Sequence, residues 1–462
     1  MNLFSQFQQS KHRGLIILAL DLILFFILIH TLPFSPSENK GLALLVFAGV
    51  LWLTEAFNIT VTALMIPILA IGMGLLKTKD AFATFSEPII FMFFGGFVLA
   101  AVLQIQGLDK VLAHFIIKLA KGNLKKTVFY LFFATAFISM WMNNTAVAAM
   151  MLPLTIGILS GVNIAEDRRT YSFVLMGIAF SANIGGIGTL VGSAPNGILA
   201  SQLDITFAEW LKFGMPVMLL LLPSMLLSLW VVLRPNLNAK FDFKVDAIKL
   251  TPQNKTTLII FFTTVLLLCF GSIINPIISG VLGLDGKIAS FDSVVVMVAV
   301  IALIVAGTAT WTQIQERVEW GILMLFGGGL TLSVVLKDSG ASQIMADTIV
   351  HLVSSQHWLV ITLALTAFIV FLTEFTSNTA SAALLMPIFI AVAQSLGIEP
   401  IALAAIIACG ASCAFMLPIA TPPNAIVFAT GHIKFKEMVR VGLLLNICSV
   451  LIIGGLAYFF WK

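Results

Sequence analysis

The chain has 462 residues, of which 60% are hydrophobic and only 10% are charged, and its mean hydropathy is +1.07. Soluble domains usually carry about 25% charged residues, so this composition excludes an ordinary water-soluble protein. The net charge of +4 does not point to nucleic acid, because the basic residues lie in short segments between apolar runs. The chain also lacks the series of short alternating strands that a transmembrane barrel requires. The composition therefore predicts an all-α polytopic membrane protein.

Apolar runs recur along the whole chain, and a helix needs about 20 such residues to cross a bilayer. They predict about eleven transmembrane helices, at residues 15–32, 42–57, 60–76, 88–106, 173–202, 214–233, 256–275, 291–308, 320–336, 399–427 and 438–461. Two further apolar segments, 127–160 and 357–393, contain polar residues at their centres. We expect these two segments to be re-entrant hairpins, each entering and leaving on one side of the membrane.

The basic residues predict how the chain is oriented in the membrane. With the N-terminus in the cytoplasm, 18 of the 25 lysines and arginines lie on the cytoplasmic side. This is the bias that the positive-inside rule demands. An odd number of crossings then places the C-terminus outside.

Three sequence motifs occur twice, in the same order. The pairs are FGGFVLAAVL (94–103) with FGGGLTLSVVL (326–336), WMNNTAVAAMMLP (141–153) with FTSNTASAALLMP (375–387), and GSAPNGILA (192–200) with ATPPNAIVFA (420–429). An odd number of predicted crossings separates the two copies of the middle motif, so the second copy is inverted. Inverted-topology repeats are typical of secondary transporters.

The repeat predicts four parts of the chain. They are an N-terminal cytoplasmic segment with the first transmembrane helix (1–41), a first repeat with hairpin 127–160 and broken helix 173–202 (42–233), a cytoplasmic linker (234–255), and a second repeat with hairpin 357–393 and broken helix 399–427 (256–462).

The polar residues in the hairpins predict a binding site. Asn143-Asn144-Thr145 and Ser377-Asn378-Thr379 lie at the centres of the two hairpins. Non-helical backbone at membrane depth is tolerated only where it is buried in protein or lines a watery cavity. Ser, Thr and Asn cap the helix that follows a turn, and the N-terminus of that helix attracts anions. Hydrogen bonding between helices is the alternative explanation for such residues, but an inverted pair favours a site.

The charge pattern indicates how an anion would be balanced there. Residues 128–160, 173–203 and 357–427 contain no lysine or arginine. A bound dianion without charged partners is costly, so the positive charge must arrive with the substrate. The neutral oxygens of hydroxyl, amide and carbonyl groups suit Na⁺, which favours sodium-coupled anion transport.

Ionisable residues within the apolar segments suggest other functions only weakly. Glu374 lies three residues before Ser377, where it could carry a proton, but we favour a carboxyl that hydrogen-bonds neighbouring hydroxyls. No histidine pairs with a nucleophile or a metal ligand in the sequence, and the four cysteines resemble ordinary apolar core residues. The chain is therefore not expected to be an enzyme or to hold an organic cofactor.

The twin Asn-Thr tips, the GTLVGSAPN and ATPPNAIVFATGHIK segments and the FGG motifs resemble the divalent anion:sodium symporter family over nearly the whole chain. The bacterial sodium-coupled C4-dicarboxylate transporters are the closest group. The resemblance implies a homodimer in the bacterial inner membrane, each protomer having a rigid scaffold and a mobile transport domain that works by an elevator motion. It also implies symport of succinate, malate or fumarate with sodium ions.

The resemblance further implies the residues of each site. The first sodium site would use Ser139, Asn143, Asn144 and Gly192, and the second would use Thr373, Thr376, Asn378 and Ala420. The substrate carboxylates would meet Asn144, Thr145, Ser193, Ser377, Asn378, Thr379, Thr421 and Pro422. The family usually has Ser-Asn-Thr at both tips, whereas the first tip here begins with the bulkier Asn143.

Three alternatives stay open from the sequence. The chain could be a dicarboxylate exchanger, a sodium-coupled carrier of citrate or sulfate, or an anion channel with re-entrant loops. Dependence of uptake on a sodium gradient separates the symporter from the exchanger, and saturable coupled uptake excludes the channel.

Overall fold

The computed structural model describes residues 13–108, 123–159, 167–237, 250–353 and 356–461, together with residues 111, 115 and 119. These residues form helices and no strand. Among them, seven helices are long and apolar enough to cross a membrane, or eight if one bent pair counts as a single span. The predicted all-α polytopic class is confirmed. Part of the predicted segment 1–41 and most of the linker 234–255 lie outside the described residues.

Except for a short helix at Thr78–Ala83, the helices of the first half correspond to the predicted spans and the first hairpin. They are α1 (Arg13–Thr31), α2 (Pro36–Thr54), α3 (Ile59–Gly72), α4 (Thr78–Ala83), α5 (Pro88–Ile105), α6 (Leu124–Ser139), α7 (Asn144–Leu159), α8 (Arg168–Ile187), α9 (Ala194–Leu203) and α10 (Phe207–Leu233).

The second half repeats this order and ends on a long helix. Its helices are α11 (Pro252–Cys269), α12 (Gly271–Val281), α13 (Phe291–Val305), α14 (Trp311–Gln315), α15 (Trp320–Ser339), α16 (Ala341–Val353), α17 (Trp358–Leu372), α18 (Asn378–Ser395), α19 (Pro400–Ala411), α20 (Pro422–Phe428) and α21 (Phe435–Phe460).

Both hairpins and both broken helices are present where the polar residues predict them. The first hairpin is α6 with α7, and the second is α17 with α18. The first broken helix is α8 with α9, interrupted at 188–193, and the second is α19 with α20, interrupted at 412–421. Prolines stand in the first turn of α9 and α20, where a missing backbone N–H costs nothing.

One predicted span has a different shape. The sequence predicts a single helix over 256–275, but α11 ends at Cys269 and α12 turns away from it by 100°. Asn275 on α12 donates to the carbonyl of Ile288 at 2.9 Å and accepts from its N–H at 2.8 Å. These contacts tie α12 to the segment that follows it, so α12 cannot continue along the axis of α11.

The helices pack into two groups. In the first group, α1 packs on α2, α15 packs on α2 and α3, and α13 packs on α5 and α11. The second group contains both hairpins and both broken helices, together with α10 and α21. The groups meet where α9 contacts α5 and α15 and where α18 contacts α2. The core of the second group is formed partly across the repeats, as in the contact between Phe180 and Phe415, whose ring centroids are 5.2 Å apart.

A candidate anion and cation site between the hairpin tips

A cavity of about 840 Å³ lies between the two hairpin tips and the two helix breaks. Its volume falls within the range of about 300–1,000 Å³ that is usual for small-molecule sites. Twelve of the fourteen predicted site residues line it, namely Asn143, Asn144, Thr145, Gly192, Ser193, Thr376, Ser377, Asn378, Thr379, Ala420, Thr421 and Pro422. The structure therefore brings the predicted residues of both repeats to one place, and their roles toward ligands stay predictions.

The two remaining residues, Ser139 and Thr373, are buried beneath the tips. The Ser139 hydroxyl lies 2.7 Å from the side-chain oxygen of Asn144 and 2.7 Å from the carbonyl of Ala182. This arrangement connects the first tip to the helix that ends at the first break.

The second tip has the same construction with different side chains. The Thr373 hydroxyl lies 2.6 Å from the side-chain oxygen of Asn378 and 3.0 Å from the carbonyl of Ala411. Ser377 is the N-cap of α18, and its hydroxyl accepts from the N–H of Ala380 at 3.5 Å. Asn378 and Thr379, the first two residues of α18, line the cavity, and backbone N–H groups in a first helical turn have no partner within the helix.

At the first hairpin tip, Asn143 caps the N-terminus of α7, as Ser377 caps α18 at the second tip. Its side-chain oxygen accepts from the N–H of Thr145 at 2.7 Å. Its side-chain nitrogen donates to the carboxylate of Glu319. A serine here would offer one hydroxyl group, whereas the amide caps the helix and binds a second partner.

Two asparagines that the sequence analysis did not assign to the site hold the helix breaks in shape. Asn196 donates to the carbonyls of Gly186 and Thr189, at 2.9 and 2.8 Å. Asn424 donates to the carbonyls of Ala414 and Leu417, at 3.0 and 3.1 Å. Their positions in the paired GSAPN and ATPPN motifs are the signal that could have identified them.

The two half-sites are also connected to each other. Asn183 donates to the hydroxyl of Thr421 at 3.0 Å, and the hydroxyls of Ser193 and Ser412 lie 3.0 Å apart. Both contacts join α8 or the first break to the second break. The sequence alone gave no reason to single out Asn183 or Ser412, because neither lies in a repeated motif.

Glu374 lies in the turn of the second hairpin and binds the backbone of the second break. Its carboxylate accepts from the backbone N–H groups of Phe415, Met416 and Leu417, at 2.7, 2.8 and 3.0 Å. It also accepts from the side chain of Asn446 at 2.7 Å. The partners are therefore backbone amides and an asparagine, not the hydroxyl groups that we expected from the sequence.

Few charges surround the cavity, and most of them are negative. Its charged lining residues are Arg13, Glu55, Glu319 and Glu374. Arg13 stands at the beginning of α1 and donates to the carbonyl of Thr54 at 3.2 Å. Within the described residues, no lysine lines the cavity. An anion bound at the tips therefore needs positive charge from elsewhere.

The first break has the oxygen groups that suit a small cation. It also leaves no room for a larger residue at Gly192. A Cβ atom at this position would come within 2.7 Å of the carbonyl oxygen of Gly186 and 3.0 Å of that of Met140. Carbonyl, hydroxyl and amide oxygens from unwound helices are the ligands that transporters offer to Na⁺. In the part of the chain that the structure describes, no group of three His, Cys, Asp or Glu residues could hold a metal ion.

The hairpins, the broken helices and the cavity between them define a multi-pass membrane transporter. The family model described as "Citrate transporter" matches residues 49–408. The chain belongs to this family, and the resemblance to the divalent anion:sodium symporters is confirmed. Its members are transporters and not enzymes.

Relatives and a solved structure agree with this assignment. An uncharacterised transporter of Haemophilus influenzae is 57% identical over 451 residues, which cover 98% of each chain. The sodium-dependent dicarboxylate transporter SdcS of Staphylococcus saprophyticus is 31% identical over 96% of this chain and 90% of its own. The crystal structure of the YdaH transporter of Alcanivorax borkumensis has a TM-score of 0.58 at 16% identity, covering 99% of this chain and 98% of that one. This last likeness concerns the fold alone.

Proposed function

We propose that the protein is a sodium-coupled symporter of C4-dicarboxylates such as succinate, malate and fumarate. The observation that supports this most is the pairing of two helix N-termini, at Asn144 and Asn378, around a cavity that no lysine lines among the described residues. The helix ends favour an anion, and the oxygen-rich breaks favour Na⁺ ions that balance its charge. The sodium-dependent dicarboxylate transporter among the relatives supports both parts of the proposal.

The residue roles that the family resemblance implies are compatible with this geometry and form part of the proposal. Asn144, Thr145 and Ser193 would face one carboxylate, and Ser377, Asn378, Thr379, Thr421 and Pro422 would face the other. Sodium would bind beside Ser139, Asn143, Asn144 and Gly192 in the first half-site. In the second half-site it would bind beside Thr373, Thr376, Asn378 and Ala420.

An elevator motion fits the division of the helices into two groups. In this proposal, α1–α5 and α11–α15 form the scaffold, and the hairpins and broken helices move as one body. The cavity extends to Arg13 at the start of α1 and Glu55 at the end of α2. With the N-terminus in the cytoplasm of a bacterial plasma membrane, the cavity would extend toward the cytoplasmic side. A homodimer completes the proposal, and the mass of the detergent-purified protein tests it.

Uptake of labelled succinate into proteoliposomes tests the proposed function. We expect saturable uptake that requires a sodium gradient. Sodium-independent uptake that requires dicarboxylate inside the proteoliposomes would establish an exchanger instead. The description of the family model favours citrate as the second candidate substrate, so labelled citrate and sulfate belong in the same assay.

A further inference from the structure

A carboxylate stands beside the first hairpin tip and has no place in the proposed sites. The side-chain nitrogen of Asn143 donates to Glu319, which is 176 residues away in the chain. Glu319 directly precedes α15 and lines the same cavity as Asn144 and Thr145. The first half-site therefore has a negative charge close to the place where an anion would bind.

The contact with Asn143 keeps this charge near the site. Because Asn143 is next to Asn144, a group that binds to its side chain lies close to the helix N-terminus of α7. The N-terminus of α15, immediately after Glu319, is a favourable position for a carboxylate. Glu319 is half-buried, so water screens its charge less than that of a surface residue.

The size of the cavity does not discriminate between a dicarboxylate and a tricarboxylate. A volume of about 840 Å³ exceeds what a four-carbon diacid or citrate occupies. The charges do discriminate, because every additional negative charge on the ligand adds repulsion from Glu319. At a separation of about 8 Å in a partly buried site, one unit of charge changes affinity by about tenfold. Arg13, which binds the carbonyl of Thr54, is the sole cationic side chain among the described lining residues.

We propose that Glu319 is a specificity-determining residue. It disfavours a fully ionised tricarboxylate relative to a dianion by like-charge repulsion, and Asn143 holds it beside the tip. This inference rests on the proposed function, because that function assigns the anion to the hairpin tips.

The test compares the dissociation constants of succinate and citrate for the full-length purified protein in the presence of Na⁺. Calorimetry at mildly alkaline pH is suitable, because all three citrate carboxyl groups are then ionised. We expect the wild-type protein to bind succinate more tightly than citrate. We expect Glu319→Gln to reduce this preference by about tenfold. The matched control is Glu316→Gln, an exposed carboxylate three residues upstream, which should leave the preference unchanged.

A second variant separates charge from folding. Glu319→Asp retains the charge, and we expect it to retain the preference for succinate. An unchanged preference in a folded Glu319→Gln protein would overturn the inference, and so would wild-type protein that binds ionised citrate as tightly as succinate.

The inference and the proposed function fail in different ways. An absence of sodium-dependent binding of both acids to the wild-type protein would overturn both. Sodium-dependent succinate uptake with an unaltered preference in Glu319→Gln would overturn only the role of Glu319.

Discussion

The hydroxyl of Thr373 lies 2.6 Å from the side-chain oxygen of Asn378, five residues further along the chain. The first repeat contains the same relationship between Ser139 and Asn144, at 2.7 Å. Each hydroxyl also lies within hydrogen-bonding distance of a backbone carbonyl in the first part of a broken helix, that of Ala182 in α8 and that of Ala411 at the end of α19. In both repeats, the hairpin tip is therefore hydrogen-bonded to the neighbouring broken helix. The two half-sites have the same construction.

The central position of Asn378 leads to the first prediction. Its side chain belongs to the second proposed sodium site and faces the proposed substrate. Hydrogen bonds to charged groups contribute about 1.5–3 kcal/mol each, so we expect Asn378→Ala to weaken both sodium and succinate binding by about 10–100-fold. Calorimetric titration with each ligand in the presence of the other measures both effects.

A control for this prediction is available on the same helix. Gln394 lies near the end of α18 and is exposed, so Gln394→Ala should leave both affinities unchanged. Unaltered transport kinetics in Asn378→Ala would remove this residue from the site.

The second prediction concerns the asparagine at the first break. Asn196→Ala removes two hydrogen bonds to backbone carbonyls, each with a cost of about 1–3 kcal/mol when the partner stays buried. We expect a lower melting temperature and also a smaller rise in that temperature on adding sodium, because the break would lose its shape. Thermal unfolding with and without NaCl measures both quantities.

Asn58 gives the comparison for Asn196. It caps α3 through the N–H of Thr60 at 2.9 Å and lies outside the cavity lining. Asn58→Ala should lower the melting temperature but leave the sodium effect intact. If sodium raised the melting temperature of Asn196→Ala as much as that of the wild-type protein, the first break would not need the hydrogen bonds of Asn196.

The sequence predicts the positions of the hairpins and the breaks, because polar residues are rare in membrane-buried segments and indicate a special structure where they occur. Asn, Ser and Thr in an apolar run mark the points where a helix must stop. The predicted turn residues Asn144 and Asn378 are the first residues of α7 and α18. The paired motifs also predict two similar half-sites, and the structure brings residues of both to one cavity.

The long-range contacts could not be predicted in the same way. Glu319 follows a short loop helix and carries no motif, so its contact with Asn143 depends on how the two helix groups pack. The bend between α11 and α12 depends on Asn275 binding Ile288, which is a tertiary contact within an ordinary apolar run. An apolar run predicts that a helical segment is present, but it does not predict where that segment bends.

A third prediction concerns a glycine that packs against the first tip. A Cβ atom on Gly186 would come within 2.5 Å of the side-chain oxygen of Asn144. We expect Gly186→Ala to displace this side chain and to weaken sodium binding by about tenfold or more, since a lost bond to a charged group costs about 1.5–3 kcal/mol. The control is Gly455→Ala on α21, where a Cβ atom meets nothing within 4 Å. Equal sodium affinity in the two variants would contradict the proposed role of Asn144.

The last prediction separates two roles for Glu374. If its function is to fasten the second break, its carboxylate must accept from three backbone N–H groups and from Asn446. In Glu374→Gln, the oxygen that accepts from Leu417 becomes an NH₂ group, which faces that N–H donor. Leaving this buried donor unpaired costs about 1–3 kcal/mol, and the three bonds to the other oxygen lose a charged acceptor, so we expect a destabilisation of about 3 kcal/mol, visible as a large fall in melting temperature.

If Glu374 instead carries a proton, glutamine imitates its protonated form and should be tolerated. The variant would then keep its melting temperature and change the dependence of succinate uptake on pH. Glu55→Gln is the control, because Glu55 lines the same cavity but is exposed, and its replacement should alter neither quantity. The four short contacts favour the fastening role, because in all four the neighbouring group donates to the carboxylate, and none of them offers an acceptor for a proton on it.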